Sequence, residues 1–243
     1  MADTILYQKQ GEGTRITINR ADCGGLISNP MAAELTGMIG RAAAESKYIV
    51  LSSAGADFCL GRDLEGNKGG KPTDALDYRK RSEGVFGLYG AFRRAEVPVV
   101  CAVQGRALGL GCAVTAVCDI TVAAASATFA LPEMAHNIMP TIAMSSLIDR
   151  VGRKGALYLA YSTEEIDAET ALAYGLVSRV VPDGRLDAQI EQLCAALDRA
   201  PRVAVMAVKE YLTHALNMSV EQASDFARNM HGAVNSSAAM RGT

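Results

Sequence analysis

Ile5 to Lys9 and Arg15 to Asn19 are strand-like, and Gln10-Gly11-Glu12-Gly13 between them supplies a turn, so the chain opens as a β-hairpin. Asn29-Pro30 then reads as an N-cap followed by a proline at the first helical position, and Met31, Leu35, Met38, Ile39 and Ala42 recur on one face of the helix that follows. Tyr48 to Ser52 and Val97 to Val103 are apolar without alternation, the pattern of strands buried on both faces. Between them lie a Gly/Lys-rich loop, Leu64 to Pro72, suited to a lid or substrate edge, and a helix from about Thr73 to Ala95. A glycine-rich turn and a helix follow Val103, then strands at Asp119 to Ala123 and Thr128 to Ala130. Beyond Pro140 the pattern is helical at about 141–151, 154–161, 167–174, 187–199, 201–215 and 219–235, broken by one strand at Leu176 to Val181. A sheet-rich front with a strand-strand-helix rhythm and a helical back imply an α/β core with a helical appendage.

With 243 residues, 49% of them hydrophobic and 21% charged, the chain has enough apolar surface for one sizeable core. A net charge of −2 gives no long-range attraction for polyanions, so neither nucleic acid nor an acidic membrane is an expected partner. The start, with Asp3, Gln8, Lys9 and Gln10, is no secretory signal, and Ala107 to Val117 is too short to span a bilayer. The six cysteines, Cys23, Cys59, Cys101, Cys112, Cys118 and Cys194, form no C-x-x-C pair and the three histidines are far apart, which fits reduced thiols in the cytoplasm and proposes no metal site.

The chemistry is carried by glycines. In Ala102-Val103-Gln104-Gly105-Arg106-Ala107-Leu108-Gly109-Leu110-Gly111-Cys112-Ala113 a buried strand runs into closely spaced glycines and then a helix. Such a helix start aims unpaired N–H groups and a positive dipole end at an oxygen gaining negative charge. A dinucleotide loop fits less well, because the third glycine and a downstream acidic ribose ligand are missing. A second glycine turn, Asp57-Phe58-Cys59-Leu60-Gly61-Arg62-Asp63-Leu64, follows the strand at Tyr48.

Taken in order, these segments resemble the enoyl-CoA hydratase/isomerase (crotonase) superfamily. The Asp57–Leu64 turn is similar to its F-C-A-G-A-D-L element, and the Ala102–Ala113 stretch, with Cys118-Asp119-Ile120 behind it, to its A-V-x-G-x-A-x-G-G-G-C element. Phe129-Ala130-Leu131-Pro132-Glu133-Met134 matches F-x-x-P-E-x, and Ala168 to Val177, running into Val181-Pro182, matches A-x-E-A-x-x-x-G-L-V. The resemblance implies an α/β crotonase spiral of β-β-α units over residues 1–182 and a helical region, 183–243, through which the family forms trimers or dimers of trimers. It implies no tightly bound cofactor, coenzyme A entering as part of an acyl-CoA substrate.

Carried over position by position, the resemblance makes the backbone N–H groups of Arg62 and Leu110 an oxyanion hole for the thioester carbonyl and Glu133 the base. It lays the coenzyme along Gly25, Leu26, Leu60 and Asp63; Lys68, Lys71, Lys209 and several arginines are all eligible to hold its 3′-phosphate. The second glutamate of the family's hydratases falls at Ala113, which can neither hold nor protonate anything. A single carboxylate suffices to move a proton between two carbons, so isomerisation is expected ahead of hydration. A hydratase or hydrolytic enzyme with water held by Thr141 or His136, and a silent acyl-CoA-binding scaffold, are the rivals. Thr141 reads first as a helix N-cap, and His136 and Asn137 as solvated loop residues. The family's Gly-x-x-A-F-x-E-K-R tail would begin at Thr243, so no tail contribution to the acyl pocket is expected.

Overall fold

The structure, a computed structural model, describes residues 3–63 and 74–242. The Gly/Lys-rich loop, with Lys68 and Lys71, therefore lies outside the described residues. Strands β1 (Ile5–Gln10) and β2 (Gly13–Ile18) form the expected antiparallel hairpin. Helix α1 (Asn29–Glu45) starts one residue earlier than expected: Ser28, in extended backbone, caps it by accepting from the Met31 N–H, and Asn29 is already helical. There follow β3 (Ile49–Ser53), α2 (Ala75–Arg94), β4 (Val99–Val103), β5 (Arg106–Leu108), α3 (Leu110–Val117), β6 (Ile120–Ala124) and β7 (Thr128–Ala130). After a 3₁₀ turn, Pro132–His136, come α4 (Thr141–Leu147), α5 (Arg153–Ser162), β8 (Ile166–Asp167), α6 (Ala168–Tyr174) and β9 (Arg179–Val181). The chain finishes on α7 (Leu186–Arg199), α8 (Arg202–Ala215), α9 (Val220–Asn235) and α10 (Ala238–Arg241).

Strands β1-β2-β3-β4-β6-β9 make one sheet, parallel from β2 onward, and β5-β7-β8 make a second. Both short strands that the pattern hid, β5 and β8, belong to the second sheet, where two or three residues are too few to show a period. The last strand of the main sheet is shorter than the apolar run from Leu176. The Leu176 and Val177 N–H groups turn back to the Ala171 carbonyl and close α6, so pairing with β6 starts only at Arg179.

The unbroken apolarity of β4 has the expected cause. Val99, Cys101 and Val103 face the large core that contains α1, α2 and α3, while Val100 and Ala102 face a smaller cluster with Tyr48, Val50, Val122, Val181 and Ile190 of α7. Burying each such valine is worth about 1.5–3 kcal/mol. Helix α7 therefore covers the far side of the main sheet. Helix α8 is pinned to the core by Lys209, whose ammonium donates to the Asp119 carboxylate at 2.7 Å and to the Phe92 and Val97 carbonyls at 3.1 Å each. Asp119 also accepts from the Val99 N–H at 2.8 Å, so one carboxylate joins the start of β4 to the helical region.

Candidate active site

The two glycine turns lie side by side. Cys59 and Ala107 form a parallel bridge: the Phe58 and Cys59 N–H groups donate to the Arg106 carbonyl, and the Leu108 N–H donates to the Cys59 carbonyl at 2.9 Å. Asp57 closes the base of the pair by accepting from the Arg106 backbone and guanidinium at 3.0–3.1 Å, and Arg106 holds its carboxyl below the ordinary range. Gly111 allows the close approach; a Cβ there would stand 2.2 Å from the Cys59 carbonyl oxygen. Gly61, at φ +126, takes a conformation that disfavours other residues.

From the bridge, each arm runs three residues to its candidate donor, Cys59 to Arg62 and Ala107 to Leu110. The Arg62 residue pairs with Ile27 through its neighbours' groups, Ile27 donating to the Gly61 carbonyl and Asp63 to the Ile27 carbonyl, which leaves the Arg62 N–H out of the ladder. Leu110 is the first residue of α3, so its N–H has no intrahelical acceptor. Among the described residues neither N–H has a hydrogen-bond partner. All eight residues of α3 are buried, so its positive end is not screened by bulk water as a surface helix would be.

Glu133 reaches this point from the 3₁₀ turn after β7. The Gly109 N–H donates to the Ala130 carbonyl at 2.9 Å, which lays the end of β7 against the start of α3. The Glu133 Oε1 stands 3.2 Å from where a Gly109 Cβ would be, and Oε2 is sealed from solvent without a partner among the described residues. Burial raises the carboxyl pKa above its ordinary value, partly offset by its own backbone N–H and by His136. The protonated form is thus favoured by the fold: this group's contribution to stability is full below its unfolded pKa and is lost as pH rises through the folded one. In a profile of kcat/KM, the acid limb is expected above the ordinary glutamate value of about 4.3. A limb at or below that value would show that Glu133 does not work as the base.

The residues expected along the coenzyme meet at one edge. Gly25 is buried against the Phe58 carbonyl, the Leu60 N–H donates to the Gly24 carbonyl at 2.9 Å, and Leu26 and Asp63 flank the Ile27–Arg62 bridge. Asp63 is paired with Arg20 at 2.9 Å. Lys209, an eligible phosphate cation in the sequence, is turned inward to Asp119 and two carbonyls. The auxiliary candidates are not drawn in: His136, Asn137 and Thr141 are exposed. Thr141 is the first residue of α4, not its cap, which is Pro140.

Tyr89 of α2 is buried beside Val85, Leu88 and Phe92, and nothing in the sequence pattern singles it out. Its ring is buried, and its hydroxyl is held protonated first by burial and then by the charge of Glu133, with Cys112 and Cys59 also near. Those two thiols are fully buried, which pushes Cys59 up to about 12 and Cys112 higher and favours the neutral thiol at both. No group of three or more His, Cys, Asp or Glu among the described residues is placed to hold a metal ion.

A family model described as enoyl-CoA hydratase/isomerase matches residues 10–242. A short-chain-enoyl-CoA hydratase of Clostridium acetobutylicum is 28% identical over 239 residues, covering 95% of this chain and 88% of its own. A probable enoyl-CoA hydratase of Rhodobacter capsulatus is 32% identical over 209 residues, 85% of this chain and 80% of its own. The crystal structure of an enoyl-CoA hydratase from Mycobacterium smegmatis superposes with a TM-score of 0.90 at 27% identity, over 97% of this chain and 92% of that one.

Proposed function

The chain belongs to the enoyl-CoA hydratase/isomerase family, and from that premise we propose that it shifts a double bond within an enoyl-CoA, with Glu133 as the only carboxylate that handles the proton. The thioester carbonyl of a 3-enoyl-CoA accepts from the Arg62 and Leu110 N–H groups, each such donor being worth about 10²–10³ in rate. The Glu133 carboxylate removes a proton from C2, and the electron pair moves onto the thioester oxygen as a dienolate. The same carboxyl returns the proton to C4, giving the 2-enoyl-CoA with no atom gained or lost. The observation that supports this over hydration is the pairing of a sealed, unpartnered Glu133 oxygen with a fully buried alanine at position 113.

The names of the relatives favour a second reading, hydration of a 2-enoyl-CoA with water held by Thr141 or His136. Incubating the protein with 3-enoyl-CoA and with 2-enoyl-CoA separates the two. The expected result is 2-enoyl product from the first and no 3-hydroxyacyl product from the second; hydration at an enzymic rate would replace the isomerase reading. Binding without turnover of either would leave an acyl-CoA scaffold.

In this reading the coenzyme lies along Gly25, Leu26, Leu60 and Asp63, no tightly bound cofactor takes part, and the protein works in the cytoplasm without nucleic acid or membrane. No helix among the described residues is long and apolar enough to cross a membrane. Residues 1–182 form the catalytic spiral, and 183–243 assemble it into a trimer or a dimer of trimers. In support, α9 buries none of its residues, and Val208 and Leu212 of α8, with Leu216 at its C-cap, expose an apolar stripe at helical spacing.

A further inference from the structure

Three arginines near the two turns and on α2 each have a carboxylate partner. Arg20 is matched by Asp63, Arg106 by Asp57 and Arg81 by Asp77. Arg62 faces neutral acceptors instead: its Nε and Nη2 donate to the Asn29 side-chain oxygen at 3.2 and 2.7 Å, and its Nη2 to the Arg81 carbonyl at 3.2 Å. Among the described residues no carboxylate pairs with it, and its Nη1 donates to nothing. The guanidinium is only partly exposed, and burial lowers its pKa, the unfavourable direction for a cation that lacks a countercharge.

The direction of this side chain matters. Both of its anchors lie on the helices, at the first turn of α1 and on α2. Tyr89 of α2 is near enough to both charges for its hydroxyl to feel Glu133 and Arg62. Its hydroxyl has no hydrogen-bond partner among the described residues although the residue is 2% exposed, and it is not among the polar atoms sealed from solvent. On the enoyl-CoA reading, a thioester with its oxygen at the Arg62 and Leu110 N–H groups and its C2 at Glu133 would run its acyl chain along this wall. A plain hydrocarbon would cover an unneutralised cation and an unpartnered hydroxyl, both costly to bury.

We propose that the acyl pocket is built for a chain ending in a carboxylate, which the Arg62 guanidinium pairs with and the Tyr89 hydroxyl donates to. This rests on the enoyl-CoA reading and narrows it to ω-carboxy-enoyl thioesters. A charge-assisted hydrogen bond in a partly desolvated site discriminates by about tenfold to a hundredfold.

The test compares 3-hexenedioyl-CoA with 3-hexenoyl-CoA on the full chain. The dioyl thioester is expected to have the higher kcat/KM by at least about tenfold. Arg62→Met, which keeps the backbone N–H, is expected to erase that preference, and Arg62→Lys to retain part of it. Equal or reversed preference in the wild type, or an unchanged ratio in Arg62→Met, overturns the proposal. Should neither thioester be isomerised, the isomerase reading fails. The saturated pair, adipoyl-CoA and hexanoyl-CoA, then decides by titration calorimetry: tighter adipoyl-CoA binding that Arg62→Met abolishes upholds the carboxylate site, and equal affinity or no binding of either rejects it.

Discussion

Glu133→Gln is expected to lower turnover by about 10²–10⁴, the range lost when a positioned base is removed. Glutamine keeps the shape of the side chain and its place beside Gly109, so the effect isolates the proton-accepting role. Its signature is a fall in kcat with little change in KM for the thioester, together with loss of deuterium uptake at C2 when an acyl-CoA is incubated in heavy water. Stability is expected to hold or to rise slightly at neutral pH, since the substitution removes a charge that burial disfavours. Denaturant midpoints of the two proteins check this. Full turnover in the variant would sink the assignment of Glu133, and a collapse of stability would mean that its carboxylate is structural.

Gly111→Ala attacks the other half of the proposed mechanism. The new methyl would sit 2.2 Å from the Cys59 carbonyl oxygen and 2.9 Å from the Cys59 Cβ. Cys59 cannot yield without giving up the hydrogen bond from the Leu108 N–H, which fixes the two arms against each other. The expected result is a loss of about 3 kcal/mol in stability, at the upper end for overpacking. Turnover is expected to fall by about 10²–10³, as for removal of one oxyanion donor. Gly84→Ala is the matching control: it is an exposed position in α2 with nothing within 4 Å of the new Cβ, and it is expected to stabilise the protein by about 0.5–1 kcal/mol. A Gly111→Ala variant as active as wild type would show that the distance between the arms does not govern the reaction.

The sequence was most legible where many residues share one cause. The hairpin, the doubly buried β4 and the long helices follow from apolar pattern and turn residues, and the crotonase spiral that the motifs implied is the architecture of the chain. Boundaries slipped where a hydrogen bond decided them: Ser28 takes the cap of α1 from Asn29, and the Ala171 carbonyl holds Leu176 and Val177 out of β9. In the candidate site, the nearness of Glu133 to α3 could be carried over from motifs, but the inward turn of Lys209 could not. A lysine on a helix surface looks solvated until the carboxylate beneath it, ninety positions away in the chain, is placed. Tyr89 escaped notice for the opposite reason, because burial of an aromatic is ordinary and only a hydroxyl without a partner among the described residues singles it out.

The equal length of the two arms has a corollary. If the two amides act as proposed, the short span from the Cys59–Ala107 bridge to Arg62 on one strand of chain and to Leu110 on the other has to keep its length. On the proposed mechanism, a single deletion within either span would rotate one of those amides out of register with the other and abolish turnover.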